Sequence, residues 1–202
     1  MSWRGRLVCA LDGTLMSVPD SAVNLTALVK ERCNHGAGGY PTMRVLALVA
    51  WGTRSIIDAV FGPASTGELG YGARLAGSLR PGMLLLADRN FAGTDLLVRL
   101  AGTGADLLVR CKNARRLPVR ARYRDGSYLS ALGDLAVRVI ARRSPSSPAP
   151  AERRWIYASS PAASSSATSW SRSAAGAQCT RLPRVPLLTT RTRSMFSATA
   201  CM

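Results

Sequence analysis

The sequence predicts an α/β protein built on a mixed sheet with helices on its faces. The apolar run Met83–Ala87, which has no polar alternation, is typical of a strand that is buried on both faces, and Arg6–Leu11 reads as a second strand. Two further strand-like runs, 43–51 and 55–61, are separated only by a short turn that contains glycine, which predicts an antiparallel hairpin. Segments with helical spacing of apolar residues alternate with these runs and supply the helices.

The elements follow in the order strand, excursion, strand, strand, helix, strand, helix, strand. The first strand is expected to end at Asp12, where Gly13–Thr14 turns the chain away, and Pro19–Ser21 then starts a helix. The later elements are predicted as a hairpin at 43–51 and 55–61, a helix at 66–79, a strand at 83–88, a helix at 94–100 and a strand at 106–110. A hairpin followed by right-handed crossovers gives a mixed sheet, and this is the element order of the ribonuclease H-like fold.

Two acidic residues stand where strands of this sheet end. In the ribonuclease H-like order the first and fourth strands lie side by side and parallel, so Asp12 and Asp88 are expected to be close neighbours. The rim at the carboxyl ends of parallel strands is where ligands and metals bind. The alternative for Asp88 alone is a helix cap, but its pairing with Asp12 favours a role as a metal ligand.

The charge balance predicts a polyanionic partner. Lysine and arginine number 27 against 11 acids, a net charge of +16, which favours nucleic acid over a membrane because no basic amphipathic helix stands out. The amino terminus does not read as a signal peptide, and no run approaches the roughly 20 apolar residues of a membrane span. The five cysteines form no C-x-x-C pair, which argues against zinc and fits free thiols in a reducing cytosol.

A strongly basic segment follows the last predicted core strand. Its positive residues alternate with apolar ones, which predicts a curled antiparallel hairpin with one basic face, continued by 128–132 and 135–140. A solvated charged face is the alternative, but the density of charge favours contact with phosphates. The predicted DNA contacts are Lys112, Arg115, Arg116, Arg120, Arg122 and Arg124.

Composition divides the chain into three parts. Residues 3–111 are predicted to form the ribonuclease H-like core, 112–143 an Arg-rich β-hairpin insertion, and 144–202 a low-complexity basic tail that is disordered or out of frame. One interpretation of the tail is a natural disordered extension. The other is translation in a shifted frame, which yields Arg, Ala, Ser and Pro in GC-rich genes.

Paired carboxylates at a sheet rim predict a hard divalent cation. Mg²⁺ or Mn²⁺ prefers such oxygen ligands, and two ions about 3.5 to 4 Å apart stabilise the attacking and leaving oxygens of in-line phosphoryl transfer. A third acid, from a helix beside the same rim, is needed to hold the second ion.

Three motifs carry a family resemblance. LDGTLMSVPDS at 11–21, GGYPTMRVLALVAWGTRSIIDAVFGP at 39–63 and SLRPGMLLLADRNF at 78–91 resemble the DDE transposases of the insertion-sequence-4 type, over roughly Trp3 to Ile140. The resemblance implies that Asp12 and Asp88 are the first two catalytic acids and metal ligands, and that Arg89 lies beside bound DNA. Asn90 stands where the family usually has glycine.

The resemblance also sets expectations for cofactor, partners and location. It implies a two-ion site for Mg²⁺ or Mn²⁺, double-stranded DNA at transposon ends as substrate, and a homodimer in a transposition complex. It further implies a bacterial cytoplasmic, nucleoid-associated protein with no membrane partner. The reaction implied is DNA transposition by metal-dependent strand cleavage and joining.

The third acid of the family does not have its motif in this sequence. A Glu in a helical Y-x-x-R-W-x-x-E motif is expected, whereas Glu152 lies in PAPAERRWIYA and is not accepted as the ligand. Family members also carry a domain before the first catalytic strand. We therefore expect a fragment or frameshifted remnant, and the alternative function is a catalytically dead DNA-binding protein or dominant-negative regulator.

A haloacid-dehalogenase-type phosphatase is the closest enzymatic rival, because LDGTL at 11–15 is similar to its D-x-D-G-T-L signature. In that family the nucleophilic aspartate would stand two residues before Asp12. Ala10 occupies that position and has no group that could form a phosphoaspartate. The sequence therefore argues against this chemistry.

Overall fold

The computed structural model describes residues 2–28, 30, 39–143 and 152–159. The helices are α1 (Ala22–Ala27), α2 (Glu68–Leu75) and α3 (Thr94–Ala101), with 3₁₀ turns at Ala76–Ser78 and Arg89–Phe91. The strands are β1 (Ser2–Trp3), β2 (Arg6–Ser17), β3 (Thr42–Ala50), β4 (Ile56–Pro63), β5 (Met83–Ala87), β6 (Asp106–Cys111), β7 (Ala121–Arg122), β8 (Tyr128–Leu132), β9 (Leu135–Arg143) and β10 (Glu152–Ala158). The predicted order of core strands and helices is confirmed.

All of these strands belong to one mixed sheet. Its order is β4-β3-β2-β5-β6-β10-β9-β8-β7, and β1 pairs with β2 outside this path. The pairs β2–β5 and β5–β6 are parallel, whereas the hairpin β3–β4 and the strands beyond β6 are antiparallel. The first and fourth predicted strands, β2 and β5, are therefore neighbours in the ribonuclease H-like arrangement, as expected.

The strand β2 continues well beyond the point where the sequence predicted a turn. Gly13–Ser17 pairs residue by residue with β3, from Gly13 opposite Leu46 to Ser17 opposite Thr42. The side chain of Leu46 packs over Gly13, where an added Cβ would be 3.0 Å from its Cδ1. Gly13 therefore allows close packing within a strand, and Asp12 lies inside β2 instead of at its end.

One face of the sheet carries the hydrophobic core. Leu11, Leu85 and Leu107 alternate with residues of the opposite face and are 4%, 0% and 1% exposed. The helices α2 and α3 cover this face. They pack closely at Gly72 because this residue has no side chain, whereas an added Cβ would lie only 3.2 Å from Cδ2 of Leu96. The other face is less evenly covered, since Leu86 is half-buried there while Val8 and Leu84 are 9% and 6% exposed.

The strand β10 corrects the predicted boundary of the basic tail. Its residues fall within 144–202, yet they pair with β6 on one side and β9 on the other. Ile156 is 1% exposed and lies opposite Val109 and Val139 in the core. The Ser-, Ala- and Pro-rich sequence around the strand hid it from composition alone, while residues 144–151 and 160–202 lie outside the described part of the chain.

The basic segment also differs from its prediction. Only Ala121–Arg122 forms a strand before β8, and Lys112–Arg115 is a turn. Pro118 has no backbone N–H to donate to a sheet, which opposes the predicted hairpin. The continuation predicted at 128–132 and 135–140 is present as the antiparallel pair β8–β9, which joins the core sheet through β10. The described residues all fall within one compact unit, 1–169.

Candidate active site

The topology brings Asp12 and Asp88 to adjacent positions. Leu11 of β2 pairs with Ala87 of β5 in parallel register, and each aspartate is the next residue along its chain. Hydrogen-bonded strands lie about 4.8 Å apart. Because Leu11 and Ala87 point into the core, both aspartates point to the opposite, more open face, and both are exposed.

A cation that the sequence did not single out stands beside this pair. Val109 of β6 pairs with Ala87, so Arg110 continues the row formed by Asp12 and Asp88 across three parallel strands. Its Nη1 lies 3.7 Å from Oδ1 of Asp88, and the two side chains are 34% and 51% exposed. This is a loose, solvated ion pair. The alternation of β6 was the available signal, because it places Arg110 on the face opposite Val109.

Local contacts fix the backbone around each acid. The Oδ1 of Asp12 accepts a hydrogen bond from the backbone N–H of Gly13 at 2.9 Å. The carbonyl oxygen of Asp88 accepts from the N–H of Phe91 at 3.0 Å, and the Phe91 ring is 2% exposed in the core. Asp88 precedes the 3₁₀ turn without capping it through its side chain, which leaves the carboxylate for other partners.

The predicted DNA contacts fall into two groups. Arg115 is half-buried, and both its terminal nitrogens donate to the chain that follows Asp88. The others, which are all exposed, are Arg89, Lys112, Arg116, Arg120, Arg122 and Arg124. Arg89 adjoins Asp88, and Lys112 follows the carboxyl end of β6, so these two lie at the same end of the parallel strands β5 and β6 as Asp88.

Asp125 orders the turn that follows the arginines. Its Oδ1 accepts from the backbone N–H and the hydroxyl of Ser127, and its Oδ2 accepts from Arg138 at 2.6 Å. Burial acts to raise the pKa of Asp125, but these hydrogen bonds and the charge of Arg138 outweigh it and lower the pKa. The carboxylate therefore stays ionised and holds the turn between β7 and β8.

The candidate ligands for a metal ion are the carboxylates of Asp12 and Asp88. Within 2–28, 39–143 and 152–159, no group of three or more His, Cys, Asp or Glu residues comes together. Exposed carboxylates on neighbouring strands fit one hard divalent ion that keeps several waters. The two-ion site implied by the resemblance would need a further acid for its second ion, and no third acid lies beside these two among the described residues.

Within the described ranges the glutamates are Glu68 and Glu152. Glu68 begins α2 on the core side, where its Oε1 pairs with Arg44 at 2.8 Å and lies 3.7 Å from the Cβ position at Gly13. Gly13 faces away from Asp12 within β2, so Glu68 is on the wrong face. Glu152 begins the extended strand β10, whereas the family motif is helical.

Comparison with known proteins decides the family. The model of the transposase DDE domain matches residues 3–169. The chain belongs to this family. The match extends past residue 143 and includes β10, so the transposase DDE domain continues into what the sequence assigned to the tail. A search of curated proteins found no match.

Two solved structures are similar to this DDE domain at low identity. A piggyBac transposase synaptic complex with hairpin DNA matches with 15% identity and a TM-score of 0.43, over 75% of this chain and 33% of that chain. Endonuclease V from Streptomyces avermitilis matches with 12% identity and a TM-score of 0.29, over 76% of this chain and 65% of that chain. The DDE domain thus spans about a third of the piggyBac transposase chain and just under two thirds of the endonuclease chain. In the described ranges, every helix is too short or too polar to cross a membrane.

Proposed function

We propose that this chain is the phosphoryl-transfer core of a DNA transposase of the insertion-sequence-4 type. The observation that carries the proposal is the register of β2 and β5, which sets Asp12 beside Asp88 on the open face of the sheet. Membership of the transposase DDE family supports DNA as the substrate. Double-stranded DNA at transposon ends is the proposed partner, with a homodimer in the transposition complex and a location at the bacterial nucleoid.

In this proposal Asp12 and Asp88 hold a divalent ion, Mg²⁺ or Mn²⁺, between two strands. Such an ion lowers the pKa of bound water and stabilises charge on a phosphoryl oxygen. The rigid parallel strands keep the two carboxylates in place before the ion arrives. Arg110 neutralises Asp88 in the absence of the ion and afterwards stands within reach of a phosphate.

The exposed basic residues supply the non-specific part of DNA binding. Lys112, Arg116, Arg120, Arg122 and Arg124 follow one another along the surface between β6 and β8. Each phosphate contact releases counterions, so the affinity for DNA falls steeply with salt. These contacts fix the position of the duplex but carry little sequence information.

A second candidate function is DNA binding without cleavage. It is favoured by the donor set, because no third carboxylate of the described residues joins Asp12 and Asp88 in one cluster. Such a protein would occupy transposon ends, or pair with an intact transposase as a dominant-negative regulator. Reading the downstream DNA in the other two frames tests the predicted frameshift, since a Y-x-x-R-W-x-x-E motif within about 60 codons of Arg143 is the expected result.

A cleavage assay separates the two functions. The full chain is incubated with end-containing DNA and Mg²⁺, beside Asp88→Ala and a wild-type sample in EDTA. Nicking that needs both Mg²⁺ and Asp88 supports the transposase. Salt-sensitive binding without nicking supports the second function, and the absence of DNA binding at low salt would contradict both.

Arg110 gives a further prediction, because a metal ion must compete with it for Asp88. Arg110→Gln removes a positive charge 3.7 Å from the carboxylate. We expect Mn²⁺ to bind about two- to tenfold more tightly at low salt, with the difference shrinking as salt screens it. Titration followed by the electron paramagnetic resonance of free Mn²⁺ measures this. Arg99→Gln, an exposed charge on α3, is the control, and equal affinities in both variants would contradict the competition.

A further inference from the structure

Arg115 reaches across to the chain that follows Asp88. Its Nη1 donates to the carbonyl oxygen of Ala92, and its Nη2 donates to Oγ1 of Thr94 at 2.6 Å. Its immediate neighbour Arg116 is exposed, whereas Arg115 is half-buried. Charge-assisted bonds that are partly shielded from water hold a defined geometry better than an exposed side chain does.

The segment that Arg115 contacts is the one that positions Asp88. From Asp88 the chain makes the 3₁₀ turn, inserts Phe91 into the core and enters α3 at Thr94. The N-cap residue of α3 is Gly93, which has no side chain to cap the helix. Arg115 cannot cap the helix, because a guanidinium only donates, but its bonds to Ala92 and Thr94 hold the chain on both sides of Gly93. Phe91 holds the same segment from the core.

The backbone of Arg115 is also held in place. Its N–H donates to the carbonyl oxygen of Lys112 at 3.0 Å and closes the turn after β6. From β10, Arg154 donates to the carbonyl oxygens of Lys112 and Asn113. Both guanidinium groups lie near Cys111: burial raises the pKa of this thiol, and the positive charges of Arg115 and Arg154 partly offset that rise. The turn is thus anchored to β10 on one side and to the Asp88 segment on the other.

We propose that Arg115 is a positioning residue for Asp88 and not a DNA contact. It ties the start of the basic segment to residues 88–94, so that the acid pair and the proposed DNA surface move as one unit. This inference rests on the proposed function, because it assigns Arg115 a task only if Asp88 binds a metal ion. It also replaces the phosphate contact that the sequence suggested for this residue.

The test compares Arg115→Ala with its neighbour Arg116→Ala, which removes the same charge without breaking the tether. Mn²⁺ affinity of the full chain is measured by electron paramagnetic resonance, with Asp88→Asn as the reference for the site itself. We expect Arg115→Ala to weaken Mn²⁺ binding about three- to tenfold, below the roughly 10–100-fold cost of losing a group bonded directly to a metal ligand. Arg116→Ala should bind Mn²⁺ as the wild type does, and hydrogen exchange at residues 88–94 should quicken only in Arg115→Ala.

The outcomes separate this proposal from the proposed function. If wild type binds no Mn²⁺, or Asp88→Asn binds it equally well, the metal site itself is wrong. If Asp88→Asn loses the ion while Arg115→Ala and Arg116→Ala behave alike, the metal site stands and the positioning role is overturned. Should Arg115→Ala fail to fold, Thr94→Val provides the test of the positioning role. It removes the hydroxyl that accepts from Arg115 and keeps the arginine. About twofold weaker binding with faster exchange near residue 94 supports the tether, and wild-type values for both overturn it.

Discussion

Asparagine at Asp12 or Asp88 is expected to weaken Mn²⁺ binding by about 100-fold or more, because loss of an outer partner alone costs roughly 10–100-fold. Each variant removes one of the two carboxylates that the register of β2 and β5 sets side by side. The amide keeps the size of the side chain and removes its charge, so the fold should be retained. Electron paramagnetic resonance of free Mn²⁺ measures the affinity.

The double variant makes this prediction sharper. If Asp12 and Asp88 hold the same ion, either single change already destroys the site, and the Asp12→Asn/Asp88→Asn double variant should be no worse than the singles. Asp95→Asn is the control, since Asp95 is an exposed acid in the first turn of α3. Additive losses, or an equal loss in Asp95→Asn, would show that Mn²⁺ is held by general negative charge instead of by the acid pair.

Alanine at Leu85 is expected to have the largest effect on stability. Leu85 is 0% exposed at the centre of β5, where the core face is covered by α2 and α3. Truncation of such a side chain costs about 2 to 5 kcal/mol, a large part of a stability of about 5 to 15 kcal/mol. Urea denaturation followed by circular dichroism should show the loss as a lower midpoint with an unchanged slope.

The neighbouring residue is the matched control for Leu85. The change Leu86→Ala removes the same atoms from the same strand, but the Leu86 side chain points to the half-buried face that carries the acids. We expect Leu86→Ala to cost about 1 kcal/mol, because the buried area and the cavity are smaller. Equal losses in the two variants would mean that the open face is as tightly enclosed as the core face.

Local pattern was enough to predict the acid pair. The unbroken apolar run before Asp88 indicated a central parallel strand, and the element order matched the ribonuclease H-like fold, in which this strand lies beside that of Asp12. The first step uses short-range periodicity, and the second uses the known strand order of that fold. The same pattern could not predict the length of β2, because Gly13 read as a turn until its partner strand β3 was known.

The strand β10 and the role of Arg115 depend on contacts between residues far apart in the chain, which composition does not reveal. The seven residues of β10 are flanked by Ser-, Ala- and Pro-rich sequence, and only their pairing with β6 and β9 shows that they belong to the core. Arg115 and Arg116 are adjacent and chemically identical, and no local signal could distinguish them. Their difference comes from Ala92 and Thr94, more than twenty residues away in the chain.

The sequence by itself determined the α/β class, the order of the core strands and the two acids that follow β-type apolar runs. These depend on the burial preference of each segment, which is written in its own residues. Only the tertiary structure decided that Arg110 completes a row with Asp12 and Asp88, and that Arg115 ties the basic segment to the chain after Asp88. Those contacts depend on strand register and on which distant groups come together, because a guanidinium bonds to the groups nearest to it in space, and these are far from it in the sequence.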